Sequence, residues 1–206
     1  YSIQLYSHFT AEVSIKDKDI VEIGSGRGGG LNFITKTFKP TSAIGVELDK
    51  RAITFCNKHY TQDNLNFIHG DAQKLTLKNE SCDIILNVES SHRYPDMQSF
   101  LGEVYRTLRP GGHFLFTDFR YDYEMDELNQ QLELSGLKVI KERNINKEVI
   151  TALELDDPRK RGLVKKLTPK FLNKVALNFS GTIGSETYNQ FVSNKYIYFS
   201  YILTKK

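Results

Sequence analysis

Residues 19–29 read Asp-Ile-Val-Glu-Ile-Gly-Ser-Gly-Arg-Gly-Gly. A β-branched run ends in glycines, and a helical pattern begins near Leu31. That order predicts a strand, a tight glycine turn and a helix. Glycine tolerates positive φ and lets a ligand approach without meeting a Cβ. The free N–H groups at the start of the helix then face that ligand. The stretch predicts a site for a nucleotide-like cofactor.

The pattern that follows alternates. Strands are expected at 20–23, 42–48, 65–69 and 82–88, with helices at 31–38, 50–59 and 97–108 between them. Asp49 is the expected N-cap of the second helix. Pro110-Gly111-Gly112 breaks the third, and a fifth strand is expected at 113–118. A helix at 124–135, a strand at 137–143 and a last strand at 196–204 complete the reading. β-α repetition of this kind predicts an α/β fold: a doubly wound, Rossmann-like, seven-stranded and mostly parallel sheet, its last strand antiparallel. Residues 147–190 are expected to be a helical insert before that strand, forming a lid over substrate. The economical organisation is one domain over 1–206, with 19–118 as its cofactor-binding core.

Gly24-Ser25-Gly26-Arg27-Gly28-Gly29 satisfies GxGxxG, which alone is equally a nicotinamide or flavin signal. Glu22 stands just before the first glycine, where dinucleotide sites usually have an apolar residue. Glu47 ends the second strand, where a carboxylate accepts from ribose hydroxyls in either cofactor type. Asp71, in Gly70-Asp71-Ala72 after the third strand, suits a purine exocyclic amine.

With Val21–Gly29, Gly45–Asp49, His69–Gln73 and Leu108–Gly112 present in order, the chain resembles the class I S-adenosylmethionine-dependent methyltransferases over about residues 19–118. The resemblance implies S-adenosyl-L-methionine as cofactor and S-adenosyl-L-homocysteine as product. It implies that Gly24, Ser25 and Gly26 pass the methionine part and that Glu22 holds its amino group. It further implies Glu47 and Leu48 at the ribose, Asp71 and the Ala72 backbone at the adenine, and Asn87 near the sulfonium. Glu89-Ser90-Ser91-His92 and Phe116-Thr117-Asp118-Phe119-Arg120 narrow it. They look like the O-methyltransferases of the phthiotriol and phenolphthiotriol dimycocerosate type. Sterol and tocopherol C-methyltransferases share the broader pattern of a His near Pro-Asp after the fourth strand. Such enzymes carry a longer segment ahead of the first strand, and the chain begins at Tyr1 rather than Met. An N-terminally incomplete chain is therefore expected.

Ligands of open α/β sheets bind at the carboxyl edge of the strands. Glu89, His92 and Asp118 are expected there. A hydroxyl acceptor must lose a proton, and histidine, with an ordinary pKa of about 6.5, suits that task at neutral pH. His92 is the expected base, with Asp118 or Glu89 as its partner. The expected reaction is O-methylation of a small, lipid- or polyketide-like hydroxyl. The alternatives are C- or N-methylation of a small molecule, an RNA or protein methyltransferase, and a cofactor-binding protein without catalysis.

Arg159, Lys160, Arg161, Lys165, Lys166, Lys170 and Lys174 crowd the insert, with no acid between Asp157 and Glu186. Apolar residues interleave with them at helical spacing. A solvated lid face, contact with an acyl substrate or membrane surface, and RNA binding are the competing readings. No RRM, KH or OB signature supports the last, and no nucleic-acid partner is expected; a homodimer is compatible with the sequence. The net charge of +3 is too small to argue for nucleic acid by itself. Cys56 and Cys82 have no paired spacing and predict reduced thiols in a cytoplasmic protein. No His, Cys and Asp cluster has metal-ligand spacing, so no metal is expected.

Overall fold

The computed structural model describes residues 2–206, apart from the side chains of residues 2, 3, 8 and 9. Contacts within the chain fall into two compact units. The larger comprises residues 2–118, 126–143 and 200–206, and the smaller 119–125 and 144–199.

In the larger unit, β1 (Asp19–Ile23), β2 (Ser42–Glu47), β3 (Leu65–His69) and β4 (Cys82–Val88) pair in parallel. With β5 (Leu108–Tyr121), β6 (Lys138–Asn144) and β7 (Tyr196–Thr204) they form one seven-stranded sheet in the order β3-β2-β1-β4-β5-β7-β6. Bonds from Lys205 N–H to the Gly112 carbonyl and from Thr117 to Ser200 run oppositely along the two chains, so β7 is antiparallel to β5. The helices are α1 (Ser2–Thr10), α2 (Gly29–Phe38), α3 (Lys50–His59), α4 (Met97–Thr107) and α5 (Met125–Leu134), the last reaching from the smaller unit into the larger. Strands covered on both faces are expected to be apolar throughout. Ile84, Ile85 and Leu86 of β4 are accordingly buried, as is Leu115 of β5.

The element boundaries follow the sequence pattern with two differences. β5 runs from Leu108 to Tyr121 rather than from His113 to Asp118, so Asp118 lies inside the strand and does not end it. Cys82 faces Leu108 and Ile84 faces His113, so Pro110-Gly111-Gly112 forms a bulge at the start of the strand instead of preceding it. Proline cannot donate to a ladder and is tolerated at such irregularities. The second difference is α1, ahead of β1, which the strand–helix pattern did not announce. Asp49 does cap α3, its side chain accepting from the Arg51 N–H.

In the smaller unit, α6 (Asn146–Leu167), α7 (Asn173–Phe179) and α8 (Glu186–Val192) account for the expected helical stretch. Its centre is the buried Asn146 amide. Nδ2 donates to the carbonyls of Phe191 and Tyr196, and Oδ1 accepts from the Tyr198 N–H at 2.6 Å. Rings of Phe119, Phe191, Tyr196 and Tyr198 pack around one another beside it.

Parallel register places the site. Ile23 faces Val46, Glu47 faces His69, and Val88 faces Thr117. Residues 24, 48, 70–71 and 89 therefore leave their strands at one edge, and Asp118, next after Thr117 within β5, lies beside them. The turn from β1 to α2 holds φ of 73°, 53° and 72° at Gly24, Gly26 and Gly28. A Cβ at Gly28 would lie 2.5 Å from the Phe67 ring. Gly28→Ala combines left-handed strain with overpacking and should lower unfolding free energy by about 2–4 kcal/mol. Gly29→Ala, where a Cβ meets nothing within 4 Å, should change it by about 1 kcal/mol or less. Denaturant midpoints of the two variants check this.

Candidate active site

The glycine turn is pinned by its neighbour strand: the Gly24 and Ser25 N–H groups both donate to the Val46 carbonyl, at 2.8 and 3.1 Å. Glu47, at the end of β2, accepts from Gly26 N–H on Oε2 and from Asp49 N–H on Oε1, both at 2.9 Å. Each carboxylate oxygen keeps a second lone pair for a diol. A Cβ at Gly26 would meet nothing within 4 Å, so the backbone there is open to a close approach. Leu48, next along, is 65 % exposed.

Glu22 is fully buried beneath this turn. Tyr6 of α1 donates to its Oε1 at 2.5 Å, while Oε2 has no partner among the described residues. Burial pushes its pKa up to about 7, against the opposing hydrogen bonds from the Tyr6 hydroxyl and the Leu31 N–H; Glu47 adds a smaller upward push. Ser25 Oγ and Asn87 Oδ1, also buried around the turn, likewise have no partner among the described residues. Asn87 Nδ2 donates to the Ile23 carbonyl at 2.8 Å and to the Tyr94 hydroxyl at 3.0 Å. The Tyr94 hydroxyl also meets Ser90 Oγ at 2.7 Å. Burial pushes the phenol up to about 12, so it remains protonated at neutral pH.

Asp71 follows β3 and is exposed. Its Oδ1 accepts from the Gln73 backbone, a local turn, and Oδ2 accepts nothing from the described residues. Ala72 beside it is buried. These residues fit the cofactor that the resemblance implies. Unsatisfied buried acceptors suit an ammonium group, the Glu47 carboxylate suits a diol, and the Asp71 carboxylate suits an exocyclic amine. α2 starts without a side-chain cap, which leaves amide donors at its N-terminus for a carboxylate.

The second cluster stands at β4 and β5. A left-handed residue, Glu89 (φ 48°), turns the chain off β4, and its N–H donates to the Thr117 carbonyl at 2.9 Å. A short 3-10 turn over Ser91–Arg93 follows. Asp118 is wholly buried and accepts three hydrogen bonds from that turn. Ser91 Oγ donates to Oδ2 at 2.6 Å, His92 N–H to Oδ2 at 3.0 Å, and His92 Nδ1 lies 2.8 Å from Oδ1. Arg93 Nε–H points at His92 Nε2, 3.3 Å away. A guanidinium only donates, so Nε2 holds the lone pair and Nδ1 the proton shared with Asp118.

The structure thus brings His92 and Asp118 together. Of the two candidate partners, Asp118 takes the ring, whereas Glu89 has its side chain on the exposed side of the turn. Residue-type reasoning missed Tyr6, Ser91 and Tyr94. Ser91 lies inside the Glu89–His92 stretch and Tyr94 two residues beyond it, but only the fold shows which hydroxyl meets Asp118 and which meets Asn87. Tyr6 carried no signal beyond an aromatic in a short amphipathic run.

Glu22 makes the site pH-sensitive. Its raised folded pKa means that its contribution to stability is complete below about 4.5 and is lost as pH rises through about 7. A cationic ligand group favours the ionised form, so binding releases a proton below pH 7. Affinity for S-adenosylhomocysteine should rise several-fold from pH 6 to pH 8 and be flat in Glu22→Gln. Titration calorimetry in buffers of different ionisation enthalpy reads both the affinity and the proton.

Comparison with known proteins gives the family. Residues 21–116 match the family model described as a methyltransferase domain. The chain is 34% identical over 203 residues to the phthiotriol/phenolphthiotriol dimycocerosates methyltransferase of Mycobacterium tuberculosis, covering 98% of this chain and 75% of that one. It is 39% identical over 172 residues to the fatty-acid O-methyltransferase of Mycolicibacterium smegmatis, covering 84% of this chain and 63% of that protein's length. In fold it superposes on geranyl diphosphate C-methyltransferase from Streptomyces coelicolor with a TM-score of 0.75 at 13% identity, covering 100% of this chain and 81% of that one. A glycine turn with Glu22 beneath it, acids at the ends of β2 and β3, and relatives of this identity carry one conclusion: the chain belongs to the S-adenosylmethionine-dependent methyltransferases.

Proposed function

We propose that this protein methylates an oxygen of a lipid-like acceptor and that His92 is the base. The observation that carries the proposal is the His92–Asp118 pair at the carboxyl edge of β4 and β5, which puts the ring's lone pair on Nε2, on the side of Arg93. The two relatives of 34% and 39% identity are named for lipid substrates, which supports the acceptor class.

When bound, S-adenosylmethionine supplies an electrophilic methyl, its C–S bond breaking as the new O–C bond forms. Glu22, Glu47 and Asp71 would hold the ammonium, the ribose diol and the adenine amine of that cofactor. The Tyr94 hydroxyl, held by Ser90 and Asn87, stays a neutral phenol at the end of β4. His92 would take the acceptor's proton on Nε2, and Asp118 would fix the tautomer and stabilise the imidazolium. Asp118 already accepts from Ser91 and from the His92 backbone, so the ring and its loop are positioned by the same carboxylate.

Arg93 favours a second reading of the acceptor. Its guanidinium lies against His92 Nε2 and is exposed, so it is available to a carboxylate. A carboxylate acceptor is already ionised and needs no base. The two acceptors are therefore separable. His92→Ala should cut transfer to a hydroxylated lipid by about 100- to 10,000-fold. It should reduce transfer to a long-chain fatty acid by about tenfold or less, with cofactor affinity nearly unchanged. Radiolabelled methyl uptake into the two lipid types, beside a S-adenosylhomocysteine titration, decides. Equal loss of turnover and cofactor binding would remove His92 as base.

A further inference from the structure

The smaller unit carries a surface that the methyl-transfer reading does not use. Between Asp157 and Glu186 the chain has no acid. The cations nearest Asp157 are spent inside the unit. Arg159 pairs with Asp156, Arg161 pairs with Asp157 and donates to the Ile183 carbonyl, and Lys160 donates to the Ser180 carbonyl. The next four, Lys165, Lys166, Lys170 and Lys174, are exposed and pair with no acid among the described residues.

Apolar side chains stand beside them in the open. Leu163 and Leu167 lie one turn apart on α6, and Leu167 is 72 % exposed. Phe171, Val175 and Phe179 recur at four-residue spacing through the 3-10 turn Lys170–Leu172 and α7. Phe171 and Phe179 are 81 % and 83 % exposed. Lys170 and Lys174 share that four-residue spacing, so a cationic stripe borders the apolar one. Exposed phenylalanines in such a row are uncommon on a soluble surface and mark a docking site.

Charge and shape choose the occupant. Lysine heads with aromatic and aliphatic side chains between them are the chemistry of a helix lying in an anionic lipid interface. A nucleic acid would use the lysines and could stack on the phenylalanines. It has no use for Leu163, Leu167 and Val175, whereas acyl chains accept all five. We propose that this face docks on an anionic lipid surface, with the lysines at the headgroups and Phe171 and Phe179 among the acyl chains.

Vesicle co-sedimentation of the purified protein tests this without reference to turnover, so it stands or falls apart from the acceptor assignment. Wild-type protein should bind vesicles of phosphatidylcholine with phosphatidylglycerol at least about tenfold more tightly than pure phosphatidylcholine, and salt should weaken the binding. Lys165→Gln/Lys166→Gln/Lys170→Gln/Lys174→Gln should lose about tenfold or more, as should Phe171→Ser/Phe179→Ser. Circular dichroism and S-adenosylhomocysteine binding of both variants should match wild type, since the altered side chains are exposed. Absence of binding, equal binding to neutral vesicles, or binding unchanged in either variant overturns the proposal. So does a lysine-dependent affinity for a single-stranded RNA oligomer without affinity for anionic vesicles. If the fourfold variant misfolds, Lys170→Gln/Lys174→Gln is read by the same criteria.

Discussion

Everything at the carboxyl edge of the sheet hangs on the turn that joins β1 to α2. Two successive N–H groups, of Gly24 and Ser25, share the Val46 carbonyl, and three glycines in the left-handed region bring the chain round to start a helix. Because the backbone occupies so little space there, side chains from three elements converge on it. Glu22 comes from below, Glu47 from β2 binds the Gly26 amide, and Asn87 from β4 reaches the Ile23 carbonyl. A methyl group at Gly28 would collide with Phe67, so the turn and the core beneath it constrain each other.

A second constraint is the burial of Asp118. A carboxylate without exposure is costly unless it is hydrogen-bonded, and this one is met three times by one turn of chain. Satisfying the acid orders the loop after β4, and ordering the loop fixes the imidazole and its tautomer. Arg93 completes the arrangement from the solvent side. The chemistry proposed for His92 follows from this satisfaction of a buried charge rather than from the histidine's sequence position alone.

The helical unit solves a different problem with the same rules. Asp156 and Asp157 lie in the middle of α6 beside Pro158, and each is held by an arginine that also lowers its pKa. Asp157 further accepts from the Ile183 N–H, tying the turn after α7 back to α6. With these acids and their arginines consumed internally, the stretch from Leu163 to Phe179 presents exposed lysines and apolar side chains. That division between paired and unpaired charge gives the face its character.

The sequence by itself determined the order of strands and helices, the glycine turn, and the acids at the ends of β1, β2 and β3. Periodicity and glycine chemistry are local, and parallel strands joined by helices leave few topologies open. It also put His92 and Asp118 at the same edge, because the strand pattern ended the fourth strand at Val88 and the fifth at Asp118. Only the tertiary structure decided that Asp118, and not Glu89, meets the ring, since that rests on the Val88–Thr117 register and a left-handed backbone at Glu89. It alone placed Tyr6 on Glu22 across a long stretch of chain. It turned Pro110-Gly111-Gly112 from a break into a bulge inside β5. In the insert the run of lysines was plain to read, but which cations are spent on Asp156 and Asp157 depended on packing. Such choices turn on distances of a few ångströms between residues far apart in sequence, and no local pattern encodes them.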